Sequence, residues 1–175
     1  MYLAEFDGDC GLDKWVGGKL YDSQHLNLVF AYEVGETVSV VAQNDTTGEY
    51  TYLGEFTVTS DAPYATVVDL NGYYEAGVTY YAGRPYSVEV KTNPIDGTLS
   101  NGPATGEIRG ISAATVHFYG TKSAKVNNRP LVTDANFTGK KEFKLTGHSR
   151  DPQITITQDE PLPFEVSGLI AELVI

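Results

Sequence analysis

Apolar residues in this chain alternate with polar ones over short runs, and glycine or proline breaks the runs. That rhythm confines it to β-structure. Residues 36–43 read ETVSVVAQ, with Val38 and Val40 on one face and Thr37, Ser39 and Val41 on the other. Residues 50–59, YTYLGEFTVT, give a second strand pattern. The intervening polar stretch 44–48, ending in Gly48, reads as a hairpin loop whose last residue suits positive φ. Over 86–92, Tyr86, Val88 and Val90 are expected inward, and Ser87, Glu89 and Lys91 outward. Residues 108–119, 142–146, 153–157 and 164–175 add further strand patterns. Alternation of this kind marks antiparallel strands with one buried face.

Helix signals are sparse. Residues 23–31 (SQHLNLVFA) suit either one short helix capped by Ser23 or a strand with Leu26, Leu28 and Phe30 on one side. No other stretch runs ten residues without Gly, Pro or a β-branched cluster. The expected fold is therefore all-β, an antiparallel β-sandwich or barrel with at most one short helix. Its expected core takes Val38, Val40, Phe56, Val58, Val88 and Val90 from the first half. From the second half it takes Val116, Phe118, Phe143, Leu145, Ile154, Ile156, Phe164, Val166 and Ile170. The 175 residues suffice to bury a core without disulfides. Residues 1–21 have scattered glycines and weak periodicity, so 1–25 reads as an acidic N-terminal arm and 26–175 as the β-rich domain. The polar Gly/Pro-rich stretch 92–106 is the expected subdomain joint or exposed loop. No internal repeat has a fixed period.

Charge is distributed unevenly. The net charge is −11. Residues 1–83 contain two basic residues, Lys14 and Lys19, against thirteen acids, which is the whole excess. Residues 119–150 carry seven basic side chains against Asp134 and Glu142. These features describe either an acidic protein with solvated lysines or two oppositely charged docking faces. Specific nucleic-acid binding is not expected, because no recognition motif accompanies the basic segment. No stretch approaches the roughly 18 unbroken apolar residues of a membrane helix. The first ten residues carry acids where a secretory signal has basic residues, so no such signal is expected.

Catalytic and metal motifs fail on inspection. Residues 147–151 (GHSRD) imitate a nucleophile elbow, but Asp151 replaces the final glycine and a strand pattern follows instead of a helix. No hydrolysis dependent on His148 or Ser149 is expected. Asp7, Asp9 and Asp13 are weak cation candidates: the twelfth position of a calcium loop would be Gly18. The single cysteine, Cys10, rules out an intramolecular disulfide, and its acidic surroundings disfavour a thiolate. The segment Gly17-Gly18-Lys19 lacks the rest of a phosphate loop. Among 23 acids some pair will fall at a glycosidase's carboxylate spacing by chance, so that spacing identifies nothing. No enzyme activity and no cofactor are expected. Tyr73, Tyr74, Tyr80 and Tyr81 bunch among glycines and suit either sheet-edge packing or an interface, where tyrosine is enriched. With Lys122, Lys125, Arg129, Lys140, Lys141 and Leu162 they form the interface candidates.

Several stretches, in order, resemble one phage family. They are GETVSV at 35–40, GRPYS at 83–87 before a strand ending at Lys91-Thr92, and RGIS at 109–112 opening a long strand. The terminal ITITQDEPLP at 154–163, then VSGLI at 166–170 and ELV at 172–174, is the most distinctive. This is similar to the C-terminal part of tail tubular protein B, the nozzle protein of short-tailed phages, over most of residues 26–175. Members of that family are several times longer. The resemblance implies a virion structural protein made in the host cytoplasm. It also implies a hexameric ring that contacts other tail proteins around the DNA exit channel. The acidic half would then line the conduit and let DNA slide without sticking. A carbohydrate-binding or carbohydrate-degrading β-module acting at the host surface is the alternative, suggested by tyrosine-rich loops and acids. A secreted adhesion domain is a third reading.

Overall fold

The computed structural model describes residues 6–7, 11–20, 24–28, 31–60, 66–95, 98–99, 102–103, 108–133 and 135–174. These residues are all-β, built from antiparallel sheets, with no helix among them. The chain forms two compact units. Unit 1 is Met1–Ser87 with Glu160–Pro163, and unit 2 is Val88–Asp159 with Phe164–Ile175. The stretch 92–106 falls within unit 2, and its first residues are pinned: the Thr92 and Ile95 amides donate to the carbonyls of Ile154 and Pro152.

Unit 1 contains β1 (Phe6–Asp7), β2 (Leu12–Gly18), β3 (His25–Asn27), β4 (Thr37–Asn44), β5 (Tyr50–Thr57), β6 (Val67–Asp69) and β7 (Val78–Pro85). Five of them form one sheet in the order β1-β2-β7-β4-β5, and β3 pairs with β6. The ambiguous stretch 23–31 thus contributes β3, with Leu26 and Leu28 buried, while Ser23 and Phe30 lie outside the described residues. The β4–β5 hairpin closes as its sequence predicts. The Asn44 side-chain oxygen accepts the amides of Thr46 and Thr47, and Gly48 turns with φ +71°.

The alternation in β4 is buried on both sides. Val38 and Val40 join a core with Leu26, Leu28, Val58, Val68, Leu70, Tyr80 and Ala82. Val41 faces the other way and packs with Leu12 and Leu162. Burial of one such valine is worth about 1.5–3 kcal/mol, so both faces stabilise the strand. Part of the expected 1–25 arm is therefore sheet: β2 pairs with β7, and Leu12 is fully buried. The glycines that obscure its periodicity have a packing reason. A Cβ on Gly17 would come 2.5 Å from the Tyr81 ring, which also meets Trp15 edge-on at 5.2 Å.

Unit 2 contains β8 (Val88–Lys91), β9 (Thr98–Leu99), β10 (Gly102–Pro103), β11 (Arg109–Thr121), β12 (Lys125–Val126), β13 (Arg129–Pro130), β14 (Phe137–Lys144), β15 (His148–Ser149), β16 (Thr155–Gln158) and β17 (Val166–Val174). One sheet centres on β11, flanked by β14 and β15 on one side and β17 on the other. A second runs β13-β12-β16-β8, and β9 pairs with β10. Ile111, Ala114, Val116, Phe118 and Phe143 from the first sheet share a core with Val126, Ile154 and Ile156. The sheets are open, so the packing is sandwich-like and not a closed barrel.

Two expected core residues are exposed. Val90 is half-exposed because β8 ends its sheet, paired among described strands only with β16. Ile170 is 55% exposed for a different reason. The β11–β17 register shifts between His117 and Phe118, so Phe118 pairs with Val166 while Val116 pairs with Leu169. One extra residue reverses the parity of the strand. Val166, Leu169, Ala171 and Leu173 pack on the core, and Ile170, opposite Thr115, faces out.

Arg109 is buried at the start of β11. Its guanidinium donates to the carbonyls of Ile95, at 3.1 Å, and Arg150, at 2.9 Å. A buried charge needs such acceptors, and here they tie two loops to the central strand.

Candidate functional site

Each unit presents a surface with features beyond packing. In unit 1 it is a groove of about 510 Å³. Its floor comes from the sheet: Ala42 pairs with Thr51 on β5 and with Tyr80 on β7, so all three share the face that Val38 and Val40 turn to the core. Leu53 and Val78 extend that floor, and Asn44 and Glu49 stand at the hairpin end. The wall is the loop 72–75, carrying Gly72, Tyr73, Tyr74 and Glu75.

The Tyr80 hydroxyl anchors the loop at two points. Tyr80 donates its O–H to the Tyr73 carbonyl at 2.7 Å and accepts the Glu75 amide at 2.9 Å. The Tyr73 amide donates to the Leu70 carbonyl, and the Tyr73 ring meets Phe56 edge-on at 5.7 Å. These contacts fix the wall and leave Tyr73 46% and Tyr74 56% exposed. Beside the groove, the Asp45 carboxylate takes a hydrogen bond from Thr79 at 2.7 Å and pairs with Lys19. The Lys19 ammonium and the Thr79 hydroxyl hold the Asp45 carboxyl below its usual value.

In unit 2 the surface is the outer side of the β11 sheet and its β17 edge. Among described strands β17 pairs only with β11, so its other edge offers unpaired backbone groups over nine residues. Ile170 and Val174 are exposed along it. The outer face beside them carries alternating charges. Lys140, Glu142 and Lys144 on β14 lie opposite His117, Thr115 and Ala113, and Glu172 lies opposite Ala113 on the far side. Lys144 forms an ion pair with Glu142, which raises the Lys144 pKa.

The interface candidates divide clearly. Tyr73 and Tyr74 lie together in the groove, whereas Tyr80 is a core residue beneath them. Tyr81 is half-buried against Trp15 and Tyr50, its hydroxyl donating to the Gln43 side chain at 2.9 Å. Leu162 is buried against Leu12 and Val41. Lys125 pairs with Asp159 at 2.5 Å, and Arg129, Lys140 and Lys141 are exposed. Lys122 is half-buried and has an interaction partner. The structure thus brings no single patch out of the ten. Asp9 and the Asp7 side chain lie outside the described residues, and Asp13 is half-buried on β2. Among described residues no three His, Cys, Asp or Glu side chains cluster to hold a metal.

His148 and Ser149 form β15, both exposed, beside a hollow of about 210 Å³. The Ser149 hydroxyl oxygen accepts the Asp151 amide at 3.1 Å, a turn contact, and β16 follows. Glu49 and Thr51 escape sequence reading. Only the hairpin register, which sets them across from the tyrosine loop, singles them out. No family model matches the chain, and no curated protein matches it in sequence.

Proposed function

We propose that this chain is a non-enzymatic structural subunit of a phage tail, a nozzle or tail-tube component surrounding the DNA exit channel of the virion. The observation that carries the reading is the open β17 edge. A nine-residue strand with Ile170 and Val174 exposed and one side unpaired among described strands is an aggregation liability in an isolated protein. It is an asset in a subunit that closes a ring, because a neighbouring copy then supplies the missing partner. The ordered motifs shared with the nozzle family, which end in β17 itself, support the same assignment. The ring is hexameric by that resemblance and contacts other tail proteins. Unit 1 carries the acidic excess, with Glu33, Asp45, Glu55, Asp69 and Glu75 exposed, the charge suited to a conduit that repels DNA. Among described residues no helix is long and apolar enough to cross a membrane.

Electron microscopy and sedimentation velocity of the purified chain test this. Closed rings that dissociate in the Ile170→Lys variant are expected. A chain that stays monomeric at about 100 μM, well above the dissociation constants of stable assemblies, contradicts it.

A further inference from the structure

We propose that the unit 1 groove is a binding site for a neutral saccharide chain, with Tyr73 and Tyr74 as its stacking platform. This goes beyond the assembly role and does not depend on it. A pyranose ring presents an apolar C–H face and a rim of hydroxyls. It needs an exposed aromatic surface for the first and fixed acceptors and donors for the second. The groove supplies both. Tyr73 and Tyr74 are about half exposed, on adjacent residues of one loop. Glu49, Thr51 and Asn44 line the groove with them, and Glu75 stands beside them on the same loop; the Asn44 oxygen is taken by the Thr46 and Thr47 amides, which leaves its NH2 group as a donor. Neither the Glu49 nor the Glu75 carboxylate is engaged in an ion pair or side-chain hydrogen bond among described residues. Both remain able to accept sugar hydroxyls, and charge-assisted bonds of that kind are the stronger sort.

Three further observations narrow the ligand. The site is wide, about 510 Å³, which suits sugar rings better than a lone ion, and no metal-type cluster of described side chains lies there. Its charge excludes anions. Glu49 and Glu75 flank it, and unit 1 holds three basic residues against fourteen acids. Phosphates, sulfated glycans and uronic acids therefore meet repulsion. The loop is also set in advance. The Tyr80 hydroxyl bonds both the Tyr73 carbonyl and the Glu75 amide, so little ordering is left for the ligand to impose.

The test is isothermal titration calorimetry of the full chain with maltohexaose, cellohexaose and chitohexaose as neutral probes and oligogalacturonate as the anionic one. At least one neutral probe is expected to bind with a Kd of about 1 mM or tighter, and oligogalacturonate is not. Tyr74→Ala is expected to weaken binding about tenfold, a loss in the range measured for aromatic contacts. Tyr119→Ala, an exposed tyrosine of unit 2, is expected to leave binding unchanged. Amide shifts in NMR on adding the binding probe are expected at Tyr73–Glu75 and Thr51, which separates groove binding from any effect of folding. The proposal is overturned if all three neutral probes fail to bind. It is equally overturned if Tyr74→Ala binds like the parent chain, if oligogalacturonate binds as tightly, or if the shifts map elsewhere.

Discussion

The two units treat the second face of a sheet in opposite ways. In unit 1, β4 is covered on both sides: Val38 and Val40 lie in the main core, and Val41 packs under Leu162. That leucine comes from far along the chain, in the short segment Glu160–Pro163. In unit 2, the sheet centred on β11 packs one face on the core, through Ala114, Val116 and Phe118. Its other face holds Thr115, Ile170 and a row of alternating charges, and β17 leaves an edge open among described strands. Charge separates them as well. Unit 1 has three basic residues and fourteen acids, and unit 2 has nine of each. A neutral unit with an open strand can meet a copy of itself without repulsion. Two copies of the acidic unit repel each other, although β5 also ends its sheet among described strands, and the unit's concave feature is the groove.

The comparison fails most visibly if β17 is dispensable to unit 2. Deleting residues 166–175 removes a ladder along β11 and uncovers Ala114, Val116 and Phe118, which pair with it. An insoluble or non-cooperatively folded product is expected, checked by solubility and denaturant melts. A soluble, cooperatively folded monomer would refute the role of this strand in the core.

Leu162→Ala tests the closure of unit 1. A loss of about 2–4 kcal/mol is expected, as for other buried leucines truncated to alanine. Fluorescence of Trp15, the sole tryptophan, reads it in urea because that ring packs on the same cluster. Arg109→Leu is the matching test in unit 2. It leaves the Ile95 and Arg150 carbonyls without their donor, at a cost of about 2–3 kcal/mol in a denaturant melt. By contrast Ile170→Lys is expected to change monomer stability by less than about 0.5 kcal/mol, since an exposed side chain loses no packing. The smallest effect is at Asp45. Its carboxyl is held below the ordinary aspartate value by Lys19 and Thr79. The contact therefore contributes stability above the unfolded aspartate pKa and loses it as pH falls through the lowered folded value. In an NMR titration, Lys19→Ala should move the Asp45 midpoint upward, towards the ordinary aspartate value.

Much of this contrast was written in local pattern. Residues 36–43 and 50–59 announce β4 and β5, and Asn44 and Gly48 announce their turn, because those signals depend on neighbours in sequence. The two-faced burial of β4 was not legible, since Val41 needs Leu162, which no local period reveals. Nor was the sheet character of β2, whose Gly17 answers to the Tyr81 ring. The outward turn of Ile170 depends on a register shift opposite His117 and Phe118, a cross-strand event invisible along one strand. Of the groove, Tyr73 and Tyr74 stood out by composition. Tyr80, two strand positions after Val78, looked the same in sequence and proved to be the post that holds them.

Hydrogen exchange measured against protein concentration tests the central contrast most directly. Amides of β4, paired on both sides with β5 and β7, should exchange slowly at every concentration. Amides of residues 166–174 that face the open edge should exchange quickly in dilute monomer and become protected as the chain assembles. Protection of β17 that equals β4 in the monomer, or that never rises with concentration, would contradict the assignment of this edge as the assembly surface.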